Sequence, residues 1–217
     1  MEILYQDDSI IAVNKPSGLL TIRDGYNPDL PTVKSEIEKD YGRCWIVHRL
    51  DKETSGVLLL ARNEKAHKIL NLAFENHQIR KTYHAIICGI PSEQKFTISS
   101  PLKVDGDRKH RTVVDLLNGK PAKSAIMVLE SYNEYSLVEI KPESGYTHQI
   151  RAHLSFAGFP ILGDKLYLKP GLPQTDLIFR TALHAFQITF DHPVTRSTTT
   201  IQAVYPQDFS TALATLK

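Results

Sequence analysis

Residues 48–61 read HRLDKETSGVLLLA, that is His48-Arg49-Leu50-Asp51-Lys52-Glu53-Thr54-Ser55-Gly56 followed by Val57-Leu58-Leu59-Leu60-Ala61. The apolar run is too short for a buried helix and fits a buried strand. Before it, polar and charged residues crowd a segment that ends in Thr-Ser-Gly, a turn feeding the strand. Just after it, Asn63 is a good N-cap, and Ala66, Ile69, Leu70, Ala73 and Phe74 recur at helical spacing. The stretch therefore predicts a turn, a buried strand and an amphipathic helix in succession. Asp51, flanked by Arg49 and Lys52, sits at the lip of the core.

Working outward, Ser9 to Val13 is β-rich and ends at Lys15-Pro16-Ser17-Gly18, where Pro suits the first corner of a turn and Gly its exit. Thr32 to Tyr41 reads as a helix with Thr32 as N-cap and Val33 and Ile37 on one face. Thr82 to Ile90 reads as a strand. Ser124 to Leu129 and Ser136 to Lys141 form a predicted hairpin around Tyr132-Asn133-Glu134. A short helix is predicted over His148 to Ala157, with Ile150, Leu154 and Ala157 on one face and Gly158 as terminator. Two last strands, Leu183 to Phe190 and Thr198 to Tyr205, flank a turn at His192-Pro193. Strands outnumber helices and several are joined by hairpin-length turns, which predicts an α+β fold with a mixed, largely antiparallel sheet. No repeat, low-complexity tract or linker marks a domain boundary, and 217 residues allow a sizeable core.

A formal charge of +2 falls short of the basic footprint that marks nucleic-acid binding, so any polyanion site must come from local clustering. The densest cluster is Asp107-Arg108-Lys109-His110-Arg111, either a solvated loop or a phosphate grip. Cys44 and Cys88 stand far apart, in keeping with a reducing compartment and buried thiols. With no signal-peptide pattern and no apolar run of membrane-spanning length, the expectation is a cytoplasmic protein without membrane contact.

Several chemistries are excluded by pattern. There is no G-x-G-x-x-G, no phosphate-binding G-x-x-x-x-G-K-[ST], no H-E-x-x-H and no G-x-S-x-G. His148 and His153 are spaced wrongly for two ligands on one helical face, and no metal site is expected. Asp51 remains. A partly desolvated carboxylate, held ionised by a neighbouring cation and by N–H or hydroxyl donors, is what a nucleophile requires. The same residue also fits a turn cap paired with a surface base. Arg151 is open in the same way: its planar fork suits a buried carboxylate, yet it also fits a solvated helix surface. Tyr83 is either a functional hydroxyl at a strand start or ordinary half-buried packing.

Taken in order, these segments resemble the RluA-type pseudouridine synthases over nearly the whole chain. The resemblance is carried by Asn14-Lys15-Pro16-Ser17-Gly18, His48-Arg49-Leu50-Asp51 with Thr54-Ser55-Gly56, and Lys81-Thr82-Tyr83. It continues through Thr147-His148-Gln149-Ile150-Arg151 with His153-Leu154, Pro160-Ile161-Leu162-Gly163-Asp164 and Leu183-His184-Ala185. It implies a single pseudouridine synthase catalytic domain over residues 1–217, with helices flanking the sheet, a central active-site cleft and no small basic S4-type domain. It further implies a monomeric enzyme that isomerises uridine to pseudouridine within ribosomal or transfer RNA, with neither cofactor nor metal. On this resemblance Asp51 is the essential carboxylate, Arg151 its ion-pair partner, and Tyr83 the residue against the target base. Arg49 is the residue that fills the gap left by the flipped uridine. His48, Thr54, Lys81, His148 and Gln149 are further expected RNA-binding residues, and the basic cluster, read as a phosphate grip, adds Arg108, Lys109 and Arg111. Flipping the base out of its stack costs on the order of a few kcal/mol. Attack on the ribose, attack on the uracil and elimination to a glycal all need the same ionised carboxylate. The chain departs from the family pattern at Gly145-Tyr146, where many members carry Gly-Arg. Two other functions use the same residues: an inactive RNA-binding protein on this scaffold, and a nucleoside hydrolase with Asp51 as nucleophile. The hydrolase needs a second acid, and nothing marks Glu53 as that group.

Overall fold

The computed structural model describes residues 1–23, 27–168 and 176–217. The chain opens with β1 (Glu2–Gln6), β2 (Ile10–Lys15), α1 (Val33–Tyr41), β3 (Trp45–Ile46), β4 (Ser55–Ala61) and α2 (Glu64–Glu75). Next come β5 (Arg80–Cys88), β6 (Lys95–Ile98), β7 (Leu102–Lys103), β8 (Val113–Val114), β9 (Ser124–Ser131) and β10 (Tyr135–Pro142). Last are α3 (Gln149–Phe156), β11 (Leu183–Asp191), β12 (Thr198–Gln202) and α4 (Gln207–Leu216). They gather into two units, Met1–Lys81 with Ala185–Tyr205, and Thr82–His184 with Pro206–Lys217.

In the first unit β2 pairs antiparallel with β1 and with β4, setting Val13 opposite Leu58 and Ala12 opposite Leu59. Every residue of β4 is buried. Val57, Leu59 and Ala61 join Ile10 and Ala12 in a core that takes in Ala66 and Leu70 of α2. Leu58 and Leu60, which point the other way from the pleat, are just as inaccessible. A strand covered on both faces has no polar positions, which is why this one reads as a continuous apolar run rather than an alternation. Each fully buried leucine contributes roughly 1.5–3 kcal/mol. Gly56, second residue of the strand, has φ +111°, and a Cβ there would lie 2.2 Å from the Ala185 carbonyl oxygen. Only glycine fits where β4 runs beside β11.

The second unit is built on the antiparallel order β5-β10-β9-β6, with Ala85 opposite Val138, Val138 opposite Val128 and Ile126 opposite Phe96. The α+β class and the mostly antiparallel sheet agree with the sequence reading, as do the caps. Thr32 accepts from the Ser35 N–H while Ser35 accepts from the Thr32 N–H, and Asn63 accepts from the Ala66 N–H. Cys44 and Cys88 are buried, and burial pushes both thiols up to about 11. The sequence reading did not anticipate α4, whose N-cap position is Pro206 with no side-chain cap. That helix is held by tertiary contacts instead: Phe209 and Ala212 are fully buried, and Asp208 takes a two-pronged ion pair from Arg180.

Candidate active site

His48, Arg49, Asp51, Thr54 and Lys81 belong to the first unit. The segment carrying Asp51 is fastened on both sides by the turn that follows β2. The Lys15 side chain, 0% exposed, donates to the carbonyls of Pro16, Leu19 and Lys52 at 2.9, 2.7 and 3.0 Å. A lysine is almost never fully buried without partners, and here three carbonyls match its three N–H donors. The Gly18 N–H reaches the same Lys52 carbonyl at 2.8 Å, and the Ser17 hydroxyl donates to the Glu53 carbonyl at 2.8 Å. The Thr21 hydroxyl donates to the Leu50 carbonyl at 2.9 Å and accepts from the Leu50 N–H at 3.2 Å. The Thr54 N–H closes a turn on the Asp51 carbonyl at 3.1 Å. Main-chain groups on either side of Asp51 are thus fixed, while Asp51 itself is half-buried between exposed Arg49 and Lys52. This is a main chain preorganised to present a side chain at a partly accessible lip. The clamping residues Lys15, Ser17 and Thr21 were not singled out from sequence for this task. A lysine closing a strand that begins with the apolar run Ile10 to Val13 was the available signal.

His48, expected at the RNA, has a structural task as well. Its Nε2 accepts from the Leu59 N–H at 3.0 Å and its ring stacks on Phe74 at 4.8 Å. Accepting at Nε2 fixes the neutral tautomer with its proton on Nδ1. Burial, and secondarily the Lys81 charge, lowers its pKa to about 3. Lys81 is half-buried, and desolvation lowers its own pKa. Thr54 is 2% exposed, so its contribution runs through the loop rather than an open surface.

Tyr83, Arg108, Lys109, Arg111, His148, Gln149 and Arg151 lie in the second unit. Tyr83 is half-buried on β5, opposite Ile140. Arg151 is 7% exposed, which excludes the solvated-surface reading. Its Nε and Nη2 donate to the two Asp164 carboxylate oxygens at 2.7 and 2.8 Å. Asp164 is 0% exposed and also accepts from the N–H groups of Leu166 and Tyr167. The buried carboxylate that a planar guanidinium calls for is, within this unit, Asp164. The preceding Gly163 has φ +72°, and a Cβ there would lie 2.1 Å from the Arg180 carbonyl oxygen, so the bend that delivers Asp164 requires glycine.

Helix α3 begins one residue later than expected, with His148 at its N-cap position in the left-handed region at φ 55°. Gln149 is saturated internally. It donates to the Lys123 carbonyl and the Ser124 hydroxyl, and it accepts from the Ser144 hydroxyl and the Tyr146 N–H. The two donors and two acceptor sites of an amide are all engaged, which gives Gln149 a scaffolding task. Tyr146, the departure noted in the sequence, packs against the apolar cluster of Leu102, Ala122, Ala152 and Tyr167. In the basic loop, Arg108 and Lys109 are exposed, and among the described residues neither side chain makes an ion pair. Arg111 behaves differently. Its Nε and Nη2 bind Asp107 at 2.7 Å and its Nη1 donates to the Leu166 carbonyl at 3.1 Å. It belongs to the loop's own framework.

The RNA pseudouridylate synthase family model matches residues 9–156, which include parts of both units. The chain is 36% identical over 208 residues to the dual-specificity RNA pseudouridine synthase RluA of Escherichia coli (strain K12), covering 95% of this chain and 93% of that protein. It is 34% identical over 236 residues to the ribosomal large subunit pseudouridine synthase D of Neisseria meningitidis, covering 100% of this chain and 61% of that one. Among solved structures, human RNA pseudouridylate synthase domain containing 4 superposes with a TM-score of 0.80 at 28% identity, covering 99% of this chain and 92% of that one. Human RNA pseudouridylate synthase domain containing 1 gives the same TM-score, 0.80, at 27% identity, covering 94% and 83%. A turn-clamped aspartate on a strand lip, on a fold shared with these proteins, has one reading: this chain belongs to the RNA pseudouridylate synthase family and is an isomerase that converts uridine in RNA to pseudouridine.

Proposed function

We propose that the enzyme acts on structured ribosomal or transfer RNA in the cytoplasm, as a monomer whose two units work as one catalytic domain without cofactor or metal. Asp51 supplies the essential carboxylate, Arg151 holds it ionised and aimed, and Tyr83 lies against the target base. The observation that carries this reading is the clamp on the Asp51 loop. Fixing the main chain at Leu50, Lys52, Glu53 and Thr54 removes the reorganisation a flexible nucleophile would need. Isomerisation consumes no water, so a carboxylate drawn partly out of solvent suits it. The relatives' names support the substrate class, one carrying "dual-specificity RNA" and another "ribosomal large subunit". Arg49 occupies the space of the flipped nucleotide, and Arg108 with Lys109 engages phosphates. The test maps pseudouridine across total RNA from cells with and without the gene. Loss of modification at discrete uridines is expected in ribosomal RNA, transfer RNA or both. An identical map in the two strains contradicts the assignment.

A further inference from the structure

One buried side chain joins the basic loop to the helix that carries Arg151. Tyr167 is 5% exposed. Its hydroxyl accepts from the Thr112 N–H at 2.9 Å and donates to the Thr112 carbonyl at 3.0 Å, pinning the residue that follows Arg108-Lys109-His110-Arg111. Thr112 is itself buried, and its side chain donates to the Thr147 carbonyl at 2.6 Å, beside the start of α3. The Tyr167 main chain is tied to the other side. Its N–H reaches Asp164 at 3.2 Å, and its carbonyl accepts from Ser155 of α3 at 2.9 Å. The guanidinium of Arg151 lies 5.0 Å from the ring centroid and that of Arg111 5.8 Å, both within cation–π range. The His148 ring meets Tyr167 edge-on at 5.7 Å.

We propose that Tyr167 is a positioning residue for the reaction: its hydroxyl fixes the phosphate-gripping loop and its ring fixes Arg151, so that RNA held by Arg108 and Lys109 is registered to the Arg151 guanidinium. This rests on the reading of Arg108 and Lys109 as phosphate contacts and of Arg151 as serving Asp51. The two roles separate by substitution. Tyr167→Phe keeps the ring and removes the hydroxyl's two bonds to Thr112 and its 3.3 Å bond with His148 Nδ1. Tyr167→Leu removes the ring as well.

The experiment uses the full chain and unfractionated RNA from cells lacking the gene, labelled with tritium at uracil C5. Forming the new carbon–carbon bond to ribose displaces that hydrogen, so tritium release reads chemistry. Affinity is measured across a salt series and chemistry as single-turnover release at saturating enzyme. Tyr167→Phe is expected to weaken binding about tenfold, the effect of losing a buried hydrogen-bond anchor. Its salt slope falls by about one to two units, as for one or two lost phosphate contacts. Its single-turnover rate falls by less than about threefold. Tyr167→Leu slows chemistry at least about tenfold beyond the phenylalanine variant. In a background of Arg108→Gln with Lys109→Gln, Tyr167→Phe adds no further loss of affinity, because both changes act on one loop.

Additive losses of affinity overturn the inference, since a purely structural tyrosine would weaken both backgrounds alike. Equal rates for the phenylalanine and leucine variants overturn its Arg151 half. If Arg108→Gln with Lys109→Gln leaves the salt slope at the wild-type value, the phosphate reading fails first and takes this inference with it. If that double variant flattens the slope while Tyr167→Phe binds like wild type, only the role of Tyr167 is lost.

Discussion

Burial holds His48 neutral, with a pKa down to about 3 against 6.5 for the free side chain, and this has a consequence for stability. Between those values the unfolded chain binds a proton that the folded chain does not. Stability therefore rises with pH in that window, and it is lost as pH falls below about 6.5. Between about pH 7 and about pH 5 this one site removes about 2 kcal/mol. His48→Gln keeps an acceptor for the Leu59 N–H without the titration, so its denaturation midpoint should fall less over the same interval. His84 and His153, whose pKa values are also lowered by burial, keep a residual slope in both proteins. Equal slopes for wild type and variant contradict the buried-imidazole account. Sequence marked His48 by its place beside Arg49 and Asp51. It could not mark the bond to Leu59, because that bond depends on how β4 lies against the loop.

Among the elements, those with local signals were the most legible. α1 and α2 carry their own caps, and the hairpin of β9 and β10 carries its own turn, so short-range chemistry fixes them. The elements held from elsewhere were not legible: α4 relies on buried Phe209 and the Arg180 pair, and β6 on its register with β9. The same distinction applies to the site. Asp51 was visible as a carboxylate in a charged turn, but the clamp on it joins Lys15 to Lys52, far apart in sequence. Lys15→Met keeps much of the volume and removes the ammonium, leaving the carbonyls of Pro16, Leu19 and Lys52 without that donor. The expected cost is roughly 2–4 kcal/mol of stability. Single-turnover chemistry should also slow in folded protein, because Asp51 loses its fixed main chain. Denaturant unfolding and tritium release on the same preparations check both. A variant as stable and as fast as wild type contradicts the clamp.

At the scale of the whole molecule, the order of the motifs along the chain identified the family before any contact was known, and the relatives agree over 95% of the chain. The proposed RNA surface was harder to read. A charge of only +2 hides the fact that exposed Arg108 and Lys109 sit on a loop whose other arginine is internally committed. Gln149, expected at the RNA, also ties the scaffold together, through Lys123 and Ser124, partners that sequence places more than 20 residues away. The central claim is that the Asp51 carboxylate carries the isomerisation. Asp51→Asn changes the side chain by one group and leaves the clamped main chain in place. Tritium release from C5-labelled RNA should fall below detection, while RNA affinity and the unfolding midpoint stay close to wild type. Turnover within about tenfold of wild type, which is about 1.4 kcal/mol of barrier, contradicts the account.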